Sequence, residues 1–180
     1  MVSTVVIAIG ASILAGCGGG SGSAAPPAGF RQYKGNHFRL FYPEGWQVSR
    51  TVDRGSPVTK FVGPPSEGGV MPTIVLGQQA RVTRMSFPAQ LAYFRASEDL
   101  QEPRPTIVED RPTKIAGALE AQYFRIDQLG GDPPSVPVKS VYEDALAPGD
   151  VLDILYVYAP SSDQADQAKL ATVVSSLHVG

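Results

Sequence analysis

From Phe30 onward apolar and polar positions fall into short alternating runs, broken twice by a longer period. Phe30 to Tyr33 and His37 to Tyr42 read as strands around a Lys34-Gly35-Asn36 turn. Pro43-Glu44-Gly45 makes a second turn, and Trp46 to Val52 returns as a strand. Val58 to Val62 is a short strand closed by Gly63-Pro64-Pro65, and Thr73 to Val82 follows a Gly68-Gly69 loop. The period then changes. Ser86 to Leu100 sets Phe87, Leu91 and Phe94 on one helical face, with Ser86 as N-cap and Pro88 in the first turn, where it is tolerated. Pro103 and Pro105 stop that helix.

Thr106 to Glu109 and Lys114 to Ala116 read as short strands, and Leu119 to Leu129 as a long one. Residues 130–137, with two glycines and three prolines, form a connection. Val138 to Leu146 and Val151 to Tyr158 make a hairpin across Ala147-Pro148-Gly149-Asp150. The second of these strands is nearly all apolar, the pattern of a central strand covered on both faces. The last helix takes Ser161 as N-cap and Gln164 as its capping-box partner, and repeats Leu170, Val173, Val174 and Leu177 on one face. Strands, helix, strands, helix without regular βαβ alternation predict an α+β domain with a mainly antiparallel sheet.

The N-terminal segment has another character. Residues 2–14 are mostly Val, Ile, Ala and Leu, too short a run to span a bilayer but the length of a signal-peptide core. It ends in Leu14-Ala15-Gly16-Cys17, which resembles the lipobox of bacterial lipoproteins: a Leu, two small residues and the Cys that takes a diacylglyceryl group. Met1 to Thr4 carry none of the expected Lys or Arg, as follows if this start lies downstream of the true one. Residues 1–16 are therefore expected to be a lipoprotein signal peptide, with Cys17 the lipidation site. Residues 17–29 are expected to be a Gly/Ser/Pro tether, unable to bury apolar surface and spanning about 20 Å over 12 residues. The folded domain is expected over 30–180. The glycines after Cys17 are not a phosphate loop, since no strand precedes them and no Gly-Lys-Ser/Thr follows.

Several segments carry a family resemblance. Phe38-Arg39-Leu40-Phe41-Tyr42-Pro43-Glu44-Gly45-Trp46 resembles the opening of PsbP-like domains, where a strand runs into a Tyr-Pro-x-Gly-Trp turn. Ile115-Ala116-Gly117 followed by Ala121-Gln122-Tyr123 is similar to that family's middle hairpin. Tyr156-Val157-Tyr158-Ala159-Pro160 and the closing helix at Val174-Ser175-Ser176-Leu177 also fit, so the resemblance runs in order through 30–180. It implies an α/β/α sandwich around an antiparallel sheet. The family includes an extrinsic photosystem II subunit, a nuclear import cofactor and bacterial envelope lipoproteins, which share a fold and no common chemistry. The resemblance thus implies a non-enzymatic binding or accessory role in the cell envelope, by analogy of fold.

Composition and charge narrow the chemistry. A net charge of −2 with no basic block gives no nucleic-acid footprint, and no Lys/Arg cluster beside the anchor draws it to anionic lipid. Cys17 is the only cysteine, so no intramolecular disulfide forms. The two histidines, His37 and His178, fall short of a transition-metal set, and a cation at His178 suits the last turn of a helix. A Ser-His-Asp triad has no Gly-x-Ser-x-Gly elbow to support it. The pairs Glu98-Asp99 and Glu109-Asp110 read as solvated charge, and Glu143 and Asp144 point to opposite faces of their strand. Asp153 interrupts an apolar strand. It either sits at the strand's wet end, the favoured reading, or pairs with a cation such as Arg125. Trp46 with Phe38, Phe41 and Tyr42 reads as core before ligand platform.

These readings give no catalytic residue, no cofactor and no metal. The expected partners are the membrane, through lipid on Cys17 at the extracytoplasmic face, and an envelope protein. The alternative is a small-ligand carrier or hydrolase whose pocket carries no sequence motif.

Overall fold

The computed structural model describes residues 25–180, apart from 54, 66–68, 81–84, 102, 131–135 and 148–149. The expected signal peptide, Cys17 and most of the tether lie outside the described residues.

The strands are β1 (Phe30–Lys34), β2 (Phe38–Pro43), β3 (Gln47–Asp53), β4 (Ser56–Val62), β5 (Thr73–Ala80), β6 (Thr106–Pro112), β7 (Glu120–Gly130), β8 (Val136–Leu146), β9 (Asp150–Tyr158) and β10 (His178–Val179). Helix α1 (Phe87–Glu98) lies between β5 and β6, and α2 (Asp163–Ser176) follows β9 through a 3-10 turn at Pro160–Ser162. A seven-stranded sheet runs β3-β4-β5-β9-β8-β7-β6, and a three-stranded one runs β1-β2-β10. Every pairing between these strands is antiparallel. The α+β expectation and the antiparallel sheet are therefore observed, and β9 takes the central place its apolar run predicted, between β5 and β8.

Side-chain alternation on β8 and β9 divides the core in two. Val141, Ala145, Leu152, Ile154, Tyr156 and Tyr158 join Phe61, Ile74 and Leu76 and meet Leu170, Val173 and Leu177 at the α2 end. Leu146 and Val151 join Phe124 and Ile126 and meet Phe87 and Leu91 of α1. Burying each such large side chain contributes about 1.5–3 kcal/mol, so both faces of the sheet carry stability. Ser86 caps α1 as expected, its Oγ accepting from the Ala89 N–H. Arg95 then ties α1 to β6 by two hydrogen bonds to Asp110, at 2.7 and 3.0 Å.

Trp46 is core, as read from sequence. It is 8% exposed and stacks on Tyr156 with ring centroids 6.3 Å apart. A side chain at Gly63 would come within 2.7 Å of its indole, so the loop leaving β4 must pass without one.

Four local readings are corrected. Lys114 to Ala116 is no strand; only Ala116 forms an isolated bridge, to His178. His178 is not in a helix, because α2 stops at Ser176 and the chain turns back as β10 against β2. His37 does not begin a strand but occupies the β1–β2 turn with φ of 59°. Ser161 lies in the 3-10 turn, so α2 starts one residue later than its cap signal predicted. The His178 reading fails for a physical reason: a two-residue strand has no period to detect, and its partner is distant in sequence.

Candidate functional site

The hairpin β8–β9 aligns Leu146 with Val151, and therefore Asp144 with Asp153. Directly opposed residues share a face, so two carboxylates meet at mid-sheet. They look toward α1, on the same face as Tyr142 and Val151. Asp144 is 6% exposed and Asp153 is half-buried.

Their surroundings set their chemistry. Burial raises the carboxyl pKa of both residues, and at Asp144 the neighbouring charge of Asp153 raises it further. A hydrogen bond links the two carboxyls. The Tyr142 hydroxyl also bonds Asp144, and Gln79 Nε2 donates to Asp153 Oδ2 at 2.5 Å. Asp144 Oδ1 is buried with no hydrogen-bond partner among the described residues, as is Glu143 Oε2 on the other face. An unmet buried acceptor costs about 1–3 kcal/mol, so the fold keeps both against its own stability.

The pair opens into a cavity of about 330 Å³ lined also by Gln90, Tyr93, Phe94, Ser97 and Met85. A second depression of about 480 Å³ continues along the sheet and shares Gln79, Tyr142 and Asp153. Gly77, paired with Asp153 across β5 and β9, helps form its floor. A glycine inside a strand marks close approach or open space, and a Cβ here would lie 3.8 Å from Asp153 Oδ2. Phe94 stacks on Tyr142 at 4.5 Å and gives the cavity a fixed aromatic wall. Tyr93, 70% exposed, stands at the mouth. No Lys, Arg or His is among the described residues lining the cavity.

Other buried carboxyls lie outside the cleft. Asp166 accepts from the Tyr156 hydroxyl at 3.2 Å and from Lys169 at 3.0 Å. Glu143, 2% exposed, faces away from the cleft, and burial pushes its carboxyl up to about 7 against the opposing pull of Arg111. Among the described residues no group of three or more His, Cys, Asp or Glu is arranged to hold a metal ion.

The sequence candidates scatter. His37 and His178 lie at the small sheet, outside the cleft. Asp99 pairs with Arg104, Glu109 with Arg111 and Arg125, and Asp110 with Arg95. Asp153 satisfies neither reading made for it. It is mid-strand rather than at a wet end, and Arg125 is engaged with Glu109. The hairpin register implies its pairing with Asp144, a contact across strands that adjacency in sequence does not show.

The fold and cleft define a class: an antiparallel α+β domain with two helices and an acidic, aromatic-walled cavity. No known family profile matches the chain, and no curated protein matches it in sequence. Solved structures do match in fold. Cyanobacterial PsbP (CyanoP) from Synechocystis superposes with a TM-score of 0.61 at 15% identity, covering 93% of this chain and 99% of that one. A Pseudomonas aeruginosa protein of unknown function, PA94, superposes with a TM-score of 0.54, also at 15% identity, covering 81% of this chain and 96% of that one. At this identity the likeness is one of fold, and the fold is PsbP-like.

Proposed function

We propose that the protein is a membrane-tethered, non-enzymatic binding module of the cell envelope, with the Asp144–Asp153 cleft as its recognition site. On this reading the domain over 30–180 has the layered α/β/α arrangement of PsbP-like proteins. Lipid on Cys17 holds it at the extracytoplasmic face of the membrane, and residues 17–29 give it reach. The observation that carries the reading is the facing Asp144–Asp153 pair, which lines an aromatic-walled cavity with no Lys, Arg or His among its described lining residues. Carboxyls whose pKa is raised by burial in a cleft mark a candidate functional site. The PsbP-like fold supports an accessory role.

Two measurements test it. Full-length protein made in a lipoprotein-processing host should partition into detergent, and Cys17→Ala should move it to the aqueous phase; unchanged partition defeats the anchor. A photo-cross-linking residue in place of Tyr93 should capture an envelope component, and Asp153→Asn should abolish the capture. A cross-linker in place of Leu119 should capture nothing. Equal capture at both positions, or none at 93, removes the cleft from the reading.

One observation favours a second reading. Two carboxyls sharing a proton are also the equipment of acid–base hydrolysis. Ester, peptide or glycoside turnover that disappears in Asp144→Asn and Asp153→Asn together would make the protein a hydrolase.

A further inference from the structure

We infer that the cleft receives a primary ammonium group carried on a small apolar or aromatic body. This deepens the proposal above by naming the ligand class.

Among the described residues lining the cavity, no Lys, Arg or His faces its carboxyls. Burial raises both carboxyls, and their mutual proximity disfavours two full charges. Asp144 faces Asp153 across the hairpin and lines the same cavity. A primary ammonium brings three N–H donors and one positive charge on a compact head. One donor meets the Asp153 carboxylate, and the positive charge sits beside the pair. A guanidinium fits less well, because its planar fork matches one ionised carboxylate bidentately, and Gln79 already occupies Asp153 Oδ2.

The walls specify the rest. Phe94, Tyr93, Met85 and Val151 surround the carboxyls with apolar surface. Aromatic faces near the charged head add cation–π attraction of about 0.5–2 kcal/mol. About 330 Å³ is at the small end of ligand cavities, which run roughly 300–1,000 Å³. A divalent metal is the poorer match. Calcium takes 6–8 oxygen ligands and magnesium a strict octahedron, whereas two carboxyls that share a proton supply one full charge.

The test is calorimetric titration of the full-length chain with three probes: 2-phenylethylamine, its uncharged counterpart 2-phenylethanol, and calcium chloride. The amine should bind at least tenfold more tightly than the alcohol. Asp153→Asn should lose at least tenfold, and Asp144→Asn should lose affinity while keeping the fold by circular dichroism. Glu143→Gln, on the opposite face, should bind as the parent does. Equal affinity for amine and alcohol, amine affinity unchanged in both Asn variants, or no binding of the amine overturns the assignment. Saturable calcium binding that needs Asp153 overturns it in favour of a metal site. If the amine fails while the Tyr93 cross-link still depends on Asp153, the ligand class is wrong and the recognition site stands.

Discussion

Glu143 and Asp144 are consecutive buried carboxyls facing opposite sides of one sheet, and they solve the same problem differently. Asp144 shares a proton with a neighbour; Glu143 has only its own. Because the folded pKa of Glu143 is raised to about 7, its protonated form is what the fold favours. The associated stability is fully present below the ordinary carboxylate range and is gone once pH has risen through about 7. A rise from 4.5 to about 7 corresponds to roughly 3 kcal/mol. Glu143→Gln should therefore flatten the decline in stability between pH 5 and 8, as read by denaturant midpoints at each pH. An unchanged decline would mean that Glu143 is not its source. Trp46 makes a simpler case. Truncating a buried indole that stacks on Tyr156 leaves a cavity, so Trp46→Ala should cost about 3–5 kcal/mol. The parent's emission should be blue-shifted relative to a solvated indole.

At the scale of elements, the C-terminal strand depends on a glycine far upstream. Val179 N–H donates to the Ala116 carbonyl at 2.8 Å, and Gly117 adopts φ of 84° directly beneath it. A Cβ at 117 would lie 1.8 Å from the Val179 carbonyl oxygen. Gly117→Ala thus combines backbone strain with collision and should cost about 2–3 kcal/mol, with earlier hydrogen exchange at Val179 and Gly180. Equal protection in the variant would show that β10 does not rest on Gly117. Most other elements were legible from sequence because they carry their own signals. Ser86 with Phe87, Leu91 and Phe94 marks α1, and the unbroken apolar run of β9 marks a strand covered on both faces. β10 has no such signal: two residues show no periodicity, and its partner β2 lies more than a hundred positions away. The cleft was half legible. The hairpin ends at Leu146 and Val151 follow from the sequence pattern, and counting back from them opposes Asp144 and Asp153. Their burial depends on α1 and β5, which no local pattern reveals.

Across the whole molecule, β8 and β9 supply side chains to both core clusters. Neither cluster can dissolve while those two strands hold. Heat should therefore unfold the domain in one transition. Trp46 fluorescence, which reports the α2-side cluster, and near-ultraviolet dichroism from the Phe94–Tyr142 stack should share one midpoint. Separated midpoints would show two independently melting units. The small sheet should melt with the rest, because Ser176 Oγ at the end of α2 accepts the Phe41 N–H of β2 at 2.7 Å.

The strand order has a kinetic consequence. β3-β4-β5 and β6-β7-β8-β9 are each chains of sequential neighbours, and they join only where β5 meets β9. Thr73 pairs there with Val157 and Ala80 with Asp150, so dozens of residues must be looped before the first seam bond forms. Loop closure is met before its contacts reward it, so this seam is expected to be the slow step, with each half zipping earlier from its own turns. Gln79 stands on one side of the seam and Asp153 on the other. The Asp144–Asp153 pair accordingly forms within one half, with its own hairpin, and gains its Gln79 partner only with the final closure of the sheet.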